Sequence, residues 1–453
     1  MRVLLISSNV AQTPYPVYPL GMSMIATAAR ADGHQVEFFD FLQNAMSLTA
    51  LRQRLIEFEP AVVGISIRNI DNVNMLHEER YLDAVTEIVE SIHRSSPAKV
   101  ILGGTAFSIF PDLIMRTTGA DYGVVGEGEE LFRQFLAKVE GGHWPPPGTV
   151  FSDRPRLRGQ AIPAAAYDPH ILGHYLREGS VASLQSKRGC PHRCVYCSYP
   201  VLEGREIRSR DPQQVVDDIE TLAREHRAES VFFTDSVFND DQGEHMPVLE
   251  EMKRRGLRVP WSAFFKPSGI TPDKVELMKE VGLRSVEMGS DAATDETLRG
   301  QRKSFVWNDV LKANRQFMEA GIPTAHYFMF GGPGETAETA KAGIDHLLQL
   351  QCTVSFVFLG IRILPATELH RLAVEQGVVS ADHDLLEPVY YISPTVDRDW
   401  LQSALEQAFA KHRRIMFPPD RFDRHLRMLH KMGYAGALWE MLRPTPAAKP
   451  HSG

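Results

Sequence analysis

Three of the four cysteines in this chain of 453 residues lie together in one short segment, CPHRCVYC. They are Cys190, Cys194 and Cys197, spaced as C-x-x-x-C-x-x-C. Thiolates this close in sequence can converge on one soft metal centre, and soft ligands favour zinc or an iron–sulfur cluster. The fourth cysteine, Cys352, stands in LQCTVSF at the start of a predicted strand, where we interpret it as a buried apolar side chain.

Two kinds of metal site fit this segment. In the first, a structural zinc ion takes the three thiolates and His192 as its ligands. Structural zinc sites usually draw their ligands as two pairs from two separate turns, and the sequence offers no second pair. In the second, the three thiolates hold an iron–sulfur cubane, which leaves one iron open for another ligand. The spacing favours the second kind.

The composition is that of a folded globular protein. Hydrophobic residues make up 43% and charged residues 23% of the chain, and the net charge is −8. A negative chain gives no reason to expect nucleic acid or an anionic membrane as the main partner. No apolar run approaches the ~20 residues that a membrane span needs. Because the chain has few cysteines for its length, we expect a cytoplasmic protein without a disulfide framework.

Alternating strand and helix patterns predict two α/β domains. Runs such as RVLLISS and KVILGGT alternate with helical patterns near the N-terminus and predict a doubly wound, Rossmann-like parallel sheet of five strands. A second alternation of six strand–helix units predicts a partial (β/α)6 TIM-like barrel with its active site at the carboxyl ends of the strands. The predicted boundaries are 1–140 for the sheet domain, 141–179 for a linker, 180–375 for the barrel, 376–443 for a helical region and 444–453 for a disordered tail.

The cysteine segment resembles the cluster loop of radical S-adenosylmethionine (SAM) enzymes. The resemblance rests on CPHRCVYC, on aromatic Tyr196 before the third cysteine, and on the position of the loop after the first strand of a predicted barrel. It implies that the three thiolates hold a 4Fe–4S cluster, and that the amino and carboxylate groups of SAM bind the open iron. One electron, from a donor such as flavodoxin or ferredoxin, would then cleave SAM to methionine and a 5′-deoxyadenosyl radical.

The resemblance also implies which strand ends contact SAM and substrate. FFTDSVFN, EMGSDAA and FGGPGET stand where the family binds SAM, the last of them near its adenine. Arg362, at the end of the sixth strand, is a candidate for contact with SAM or substrate. On the third strand, two aromatic side chains fit either an apolar substrate site or the barrel core: Trp261 and Phe265. The SAM-binding residues implied are Tyr196, Asp235, Ser236, Ser290, Asp291, Gly331 and Gly332.

The N-terminal segments resemble the cobalamin-binding domain that is often fused upstream of radical SAM barrels. PVYPLGMSMIATAARADGHQVEFFD, VVGISIRNIDN, VILGGTAFS and GVVGEGEE carry this resemblance. It implies a corrin on the carboxyl ends of the strands, between this domain and the barrel, where glycine turns let backbone approach a large flat ligand. Glu127 and Glu129 fit hydrogen bonds to that ligand or a helix cap. The candidate cobalamin-binding residues are Tyr18, Leu20, Gly21, Ser66, Arg68, Asn69, Gly103, Gly104, Gly126, Glu127 and Glu129.

Arg68 is the candidate for the lower face of the cobalt. Many cobalamin domains supply a histidine there from a D-x-H-x-x-G motif, and the segments that carry the resemblance contain none. Arg68 directly follows the third apolar run and is expected to point toward the corrin. A guanidinium keeps its proton and is a poor ligand, so it would discourage ligation from below. The alternative is a structural pairing of Arg68 with Asp71 or Asp40.

Together the two resemblances imply a cobalamin-dependent radical SAM enzyme, most often one that methylates an unactivated carbon, here of a small-molecule or natural-product substrate. A radical rearrangement, cyclisation or oxidation without methyl transfer is the alternative among enzymes. A non-catalytic corrinoid or iron–sulfur sensor would need an output module, and the sequence shows no helix-turn-helix or signalling domain. The basic C-terminal segment predicts an amphipathic helix over the barrel, with Phe422, Leu426 and Leu429 at helical spacing.

Overall fold

The computed structural model describes residues 1–12, 15–152, 156–179, 181–351, 353–432, 434 and 438–442. Two large parallel sheets dominate these residues, which confirms the predicted α/β class. Cys352 and the predicted tail 444–453 lie outside the described residues, so both interpretations stay predictions. None of the helices in the described ranges has the length and apolar character needed to cross a membrane.

The N-terminal sheet has six parallel strands in the order β2-β1-β3-β4-β5-β6. Its central strands are nearly continuous apolar runs because helices cover both faces, and in β1 only Arg2 is exposed. The strand order reverses between β1 and β3, and ligands bind beyond the strand ends at such a point. The strands are β1 Arg2–Ser7, β2 Gln35–Asp40, β3 Val62–Ser66, β4 Lys99–Gly103, β5 Tyr122–Val124 and β6 Val150–Phe151.

Six helices flank this sheet, and local sequence signals set their limits. The hydroxyl of Ser47 accepts a hydrogen bond from the backbone N–H of Ala50 at the start of α2, and left-handed Gly119 ends α5. The helices are α1 Leu20–Ala31, α2 Leu48–Phe58, α3 Leu82–Ser95, α4 Thr105–Ile109, α5 Pro111–Thr118 and α6 Gly128–Glu140.

The segment predicted as a linker, 141–179, is more ordered than a linker. Its strand β6 extends the N-terminal sheet to six strands, one more than predicted, by pairing Val150 with Gly123 of β5. A short 3₁₀ helix, Gly159–Ala161, follows, and then helix α7, Pro169–Gly179, leads directly into the barrel. The prolines and glycines of this segment favoured a linker, and its edge strand has only two residues.

The barrel is an open parallel sheet in the order β17-β14-β13-β12-β11-β10-β7. Six of its strands follow the predicted order, and the seventh comes from the C-terminal region. These strands are β7 Val181–Leu184, β10 Ser230–Phe233, β11 Trp261–Phe265, β12 Leu283–Asp291, β13 Thr324–Phe330, β14 Thr353–Leu359 and β17 Ile415–Met416. Two short antiparallel pairs accompany them: β8 Lys187–Arg188 with β9 Arg208–Ser209, and β15 Ile361–Arg362 with β16 Tyr390–Tyr391.

Helices connect the barrel strands and form the C-terminal region. They are α8 Tyr199–Leu202, α9 Pro212–Arg224, α10 Met246–Arg254, α11 Pro272–Glu280, α12 Asp295–Gly300, α13 Trp307–Glu319, α14 Ala337–Gln349, α15 Glu368–Glu375, α16 Arg398–Phe409, α17 Asp423–Lys431 and the 3₁₀ helix Leu438–Leu442.

The C-terminal region covers the amino end of the barrel. Trp439 of the last 3₁₀ helix packs with Ala325 and Val354, which stand near the beginnings of β13 and β14. The predicted amphipathic helix is α17, whose Leu426 is buried, and Phe422 just before it packs on the same cluster as Trp439. The C-terminal region therefore covers the barrel at this end.

Candidate functional site

The three cysteines lie in the loop between β8 and β9, at the carboxyl end of the first barrel strand. The backbone N–H of Cys190 donates to the carbonyl oxygen of Gly204 at 2.9 Å. Gly189, the residue before Cys190, has a φ of +94°, and a Cβ there would lie 1.9 Å from the carbonyl oxygen of Glu206. The hairpin therefore requires glycine at this position, and it presents the thiols from a fixed loop.

The donor set fits a 4Fe–4S cluster. Burial raises the pKa of Cys190, and burial together with the neighbouring Cys194 raises the pKa of Cys197 to about 12, so loading of the cluster releases protons. In the described ranges, no three His, Cys, Asp or Glu side chains converge closely enough to hold a single metal ion. Each thiolate of a cubane binds a different iron, so these thiols need not meet at one point.

Lys303, which sequence reasoning missed, also reaches the cysteine loop. Its Nζ lies 3.2 Å from Sγ of Cys194 and 3.4 Å from the hydroxyl oxygen of Tyr196, and it forms an ion pair with Asp291. Burial alone would lower the pKa of Lys303, but Asp291 and the other neighbours raise it well above its usual value. Because 109 residues of chain separate Lys303 from Cys194, no local pattern marks it.

The predicted SAM residues at the end of β10 support the cysteine hairpin. Asp235 is fully buried and accepts hydrogen bonds from the backbone N–H and the hydroxyl of Ser186, at 2.8 and 2.5 Å. Ser236 donates its hydroxyl to the carbonyl oxygen of Gly189 at 3.1 Å, next to Cys190. Ser236 thus lies beside the cysteine loop, whereas Asp235 bonds Ser186, the residue before β8.

The two predicted SAM residues at the end of β12 face opposite ways. The hydroxyl of Ser290 is buried 2.7 Å from Nδ1 of His326, which in turn contacts Asn314 of α13. Asp291 points to the cysteine loop and Lys303, and its φ of +63° turns the chain there. Ser290 is therefore engaged on the outer face of the barrel, away from the cysteine loop.

Gly331 and Gly332 form a tight turn after β13, with Glu335 accepting the backbone N–H of Gly331. A Cβ on Gly332 would lie 2.8 Å from Nε2 of Gln301, so the turn and this buried amide are in contact. Neither amide atom of Gln301 has a hydrogen-bond partner among the described residues. Buried amides normally have partners, so this orphaned donor and acceptor fit a polar ligand such as adenine beside the glycine turn.

Three residues predicted for substrate or catalysis have structural roles instead. Trp261 and Phe265 are 1% and 2% exposed and pack with Phe238 outside the barrel, so the core interpretation of these aromatics is the correct one. Arg362 is also buried, and its Nε donates to Oδ2 of Asp71 at 3.0 Å, which joins the barrel to the N-terminal domain. Its other donors bind backbone carbonyls, so the prediction that it reaches SAM or substrate is wrong.

Phe264, which stands between Trp261 and Phe265 on β11, is an aromatic side chain that does face the barrel interior. It is 39% exposed and packs against Phe232, with ring centroids 4.9 Å apart. Tyr327 and Phe358 occupy inward positions on β13 and β14 and are half-buried. The barrel interior is thus lined by aromatic rings.

Glu287 on β12 pairs in register with Phe264 and accepts a hydrogen bond from the hydroxyl of Tyr327 at 2.9 Å. Burial raises the pKa of Glu287 from its usual 4.5 to about 7. The folded state therefore holds this proton more tightly than the unfolded state does. The resulting stabilisation is complete below pH 4.5 and is lost as the pH rises through 7.

We therefore expect Glu287→Gln to stabilise the protein at pH 8 relative to the unchanged chain, because the amide needs no proton to remain neutral. One pKa unit corresponds to about 1.4 kcal/mol, so the gain approaches about 3 kcal/mol at pH 8 and vanishes near pH 4.5. Urea denaturation at both pH values measures it, with exposed Glu225→Gln as the control. An equal effect of Glu287→Gln at the two pH values would contradict this account of the buried carboxyl.

Arg68 lies at the carboxyl edge of the N-terminal sheet with its side chain exposed. Both alternative partners are occupied: Asp71 binds the barrel arginine described above, and Asp40 accepts a tyrosine hydroxyl at 2.8 Å. Within the described ranges the guanidinium has no hydrogen bond or ion pair. Burial raises the pKa of Tyr199 to about 12, and the charge of Arg68 acts against that rise. Arg68 is thus a free cation between the sheet edge and the segment that follows the cysteines.

The other candidates at this edge present backbone and small side chains. Gly104 has a φ of +101°, and a Cβ on it would lie 2.5 Å from the carbonyl oxygen of Ile67, so only glycine fits this turn. Gly21 is exposed with open space beside it, whereas Leu20 packs partly against the core. Such an open, flat edge fits a corrin. The remaining candidates on it are at least partly exposed: Ser66, Asn69, Gly103 and Gly126.

Three further candidates are buried in other interactions. The hydroxyl of Tyr18 lies 2.7 Å from Oγ of Ser23, and Tyr18 is only 2% exposed. Glu129 pairs with Arg188 at 2.6 Å, and Glu127 pairs with Arg208. These buried ion pairs join the N-terminal domain to the cysteine hairpin. The prediction that Tyr18, Glu127 and Glu129 bind the corrin is therefore wrong, and the side chain of Glu127, the N-cap residue of helix α6, makes no capping hydrogen bond.

One D-x-H-x-x-G string does occur, as DPHILG at residues 168–173, outside the cobalamin-like segments. It begins helix α7, where the carboxylate of Asp168 accepts the backbone N–H of Ile171 at 2.9 Å. The side chain of His170 is exposed. Here the string serves as a helix N-terminus.

Comparison with known proteins agrees with this geometry. Residues 184–347 match the family described as the radical SAM superfamily, and residues 6–136 match the B12 binding domain. Tryptophan 2-C-methyltransferase of Streptomyces laurentii is 26% identical, over 83% of this chain and 74% of the relative. Cytidylyl-2-hydroxyethylphosphonate methyltransferase of Streptomyces wedmorensis is 23% identical, over 86% and 84%.

The solved structure of the radical SAM methyltransferase TsrM from Kitasatospora setae, with cobalamin and a [4Fe-4S] cluster bound, superimposes with a TM-score of 0.84 at 25% identity, covering 98% of this chain and 97% of TsrM. A B12 domain joined to a radical SAM barrel defines the class of protein. The chain belongs to the cobalamin-dependent radical SAM enzymes, whose cofactors are a 4Fe–4S cluster, SAM and cobalamin, and the relatives named above are methyltransferases.

Proposed function

We propose that this enzyme transfers the methyl group of SAM to a carbon atom of a small molecule with an aromatic body. The observation that carries the proposal is the ring-lined barrel interior, in which Phe264, Tyr327 and Phe358 occupy inward positions on three strands. Aromatic rings favour a planar apolar ligand through offset or edge-to-face packing. Tryptophan, the substrate in the name of one relative and bound in a second TsrM structure, is of this class.

Residues of the barrel would hold the cluster and SAM, and residues of the N-terminal domain would hold cobalamin. Together the cofactors supply radical chemistry and a carrier for methyl groups. We assign Cys190, Cys194 and Cys197 to hold the cluster, with an electron donor such as flavodoxin or ferredoxin as the partner. Contact with SAM is assigned to side chains and turns that border the loop: Tyr196, Ser236, Asp291, Gly331 and Gly332.

On the other side of the cleft, the edge of the N-terminal sheet receives the corrin. The unpaired guanidinium of Arg68 lies at this edge. Because a guanidinium is a poor ligand for cobalt, it would keep the lower face of the metal free. Small residues on the same edge let the backbone approach the corrin: Gly21, Ser66, Asn69, Gly103, Gly104 and Gly126. The inward-facing rings of the barrel orient the substrate and exclude water from it.

Product analysis tests the proposal. Anaerobically reconstituted enzyme with cobalamin, reductant and SAM is incubated with tryptophan, tyrosine or phenylalanine as probes. We expect a methylated amino acid together with S-adenosylhomocysteine, and also 5′-deoxyadenosine if a radical activates the carbon. SAM cleavage to 5′-deoxyadenosine with a rearranged or oxidised probe would favour the radical reaction without methyl transfer. A fully loaded enzyme that leaves all three probes and SAM unchanged would contradict the proposal.

Phe264→Ala is expected to raise the KM for the methylated probe about tenfold or more, because burial of a Phe side chain against a ligand contributes about 1.5 kcal/mol or more. The iron content should not change, since the ring stands on β11 and packs against Phe232 of β10. Steady-state kinetics with the best probe measure the effect, and Ile56→Ala, an exposed apolar side chain on helix α2, serves as the control. An unchanged KM would remove Phe264 from the substrate site.

A further inference from the structure

One buried cation stands at the cysteine loop and has no assigned role. Lys303 is carried by the turn after helix α12, where its backbone N–H donates to the carbonyl oxygen of Leu298 at 2.9 Å. Its side chain is 9% exposed. The ammonium group lies 5.5 Å from the ring centroids of both Tyr196 and Phe305, and two aromatic faces thus enclose it.

The polar contacts of this ammonium group link a carboxylate to a cysteine. Nζ of Lys303 lies 3.2 Å from Sγ of Cys194 and forms an ion pair with Asp291. Left-handed backbone at Asp291 directs the carboxylate to this point. The lysine therefore lies within reach of three acceptors, the carboxylate, the sulfur and the hydroxyl oxygen of Tyr196 at 3.4 Å. Of these, only the sulfur belongs to the cluster ligands. An ion pair that served the fold alone would not need the contact with sulfur.

We propose that Lys303 is a positioning residue that raises the reduction potential of the 4Fe–4S cluster, through a charged hydrogen bond to the thiolate of Cys194. Hydrogen bonds to the sulfurs and the net charge around a cluster set its potential. Reduction adds one negative charge to the cluster. A cation held beside a ligand sulfur in a buried site stabilises the reduced form more than the oxidised form, because water screens the interaction little.

Asp291 limits this effect. Its carboxylate neutralises part of the charge of Lys303 and fixes where the ammonium group lies. Removal of that carboxylate would leave an uncompensated cation at the sulfur. The pair therefore predicts shifts of opposite sign for loss of the lysine charge and loss of the aspartate charge, which a purely structural role would not produce.

The test is a redox titration of the reconstituted full-length enzyme, followed by electron paramagnetic resonance without SAM or substrate. Lys303→Met, which keeps the length of the side chain and removes its charge, should retain the iron content and shift the midpoint potential to a more negative value. Lys303→Arg should restore most of the shift. The control is Arg302→Met, because the neighbouring Arg302 pairs with Glu368 at the surface and is 52% exposed.

Asp291→Asn keeps the proposal testable if Lys303→Met takes up no cluster, and it should move the potential to a more positive value. A potential equal to that of the unchanged enzyme in either variant, with full iron content, would overturn the proposal. Because neither SAM nor substrate is present, this result is independent of whether the enzyme methylates an aromatic substrate. The inference rests on the three cysteines as cluster ligands, which the iron content of a cysteine variant tests separately.

Discussion

Cys194→Ala should abolish cleavage of SAM and every methylated product, to the background of the assay without enzyme. The loss follows from the structure of the loop, because the three thiols come from one hairpin and the described residues contain no further cysteine. With two thiolates left, the cubane has two irons without protein ligands. Iron and sulfide content and the visible absorption of the cluster should fall together with activity.

Two control variants make this result specific. Cys352→Ala removes a thiol elsewhere in the chain and should leave the cluster intact. His192→Ala removes the fourth ligand of the zinc alternative, whose Nδ1 lies 3.4 Å from Oγ of Ser304, and should also leave it intact. Full iron content and retained formation of 5′-deoxyadenosine in Cys194→Ala would contradict the assignment of these three cysteines as the cluster ligands. Loss of bound metal in His192→Ala would instead support zinc.

Arg68→His should change the visible spectrum of bound cobalamin and lower methyl transfer at least tenfold. The free guanidinium at the sheet edge has no protein partner among the described residues, so its replacement costs the fold little. An imidazole at the same position can ligate cobalt through nitrogen, which a guanidinium cannot do. Arg68→Ala should also alter the spectrum, because it opens the lower face to water.

Arg116→Ala is the matched control for Arg68, since it removes an exposed arginine from helix α5 of the same domain. Its spectrum and its rate should equal those of the unchanged enzyme. Cobalamin that binds to both Arg68 variants with an unchanged spectrum would place the corrin away from Arg68. That result would not support the structural pairing of Arg68 with Asp71 or Asp40 either, because both carboxylates have other partners.

The features that the sequence predicts well are local in the chain. The cysteine spacing, the alternation of strands and helices and the exposed position of Arg68 all follow from neighbouring residues. Which side chains of a strand point inward is harder to predict, because a shift of one residue exchanges the two faces of the strand. Trp261 and Phe265 therefore entered the predicted substrate site, while Phe264, between them, is the residue that faces inward.

Contacts between distant segments could not be predicted from spacing. Arg362 and Asp71 are 291 residues apart, and the packing of the two domains alone brings them together. Glu129 and Arg188 form a second such pair, so the glutamate turn that resembles a ligand site became part of the domain interface. A buried charge requires a partner, and in this enzyme the partner lies in the other domain.

The central claim is that this enzyme moves the methyl group of SAM to substrate carbon with both the cluster and cobalamin in place. The direct measurement is mass spectrometry after anaerobic turnover with SAM that carries a trideuterated methyl group and with tryptophan as the first probe. We predict a product that carries the trideuterated methyl group on carbon when cluster and cobalamin are both bound, and none when either is left out. A labelled product formed equally well without cobalamin, or substrate converted without the label, would contradict the account.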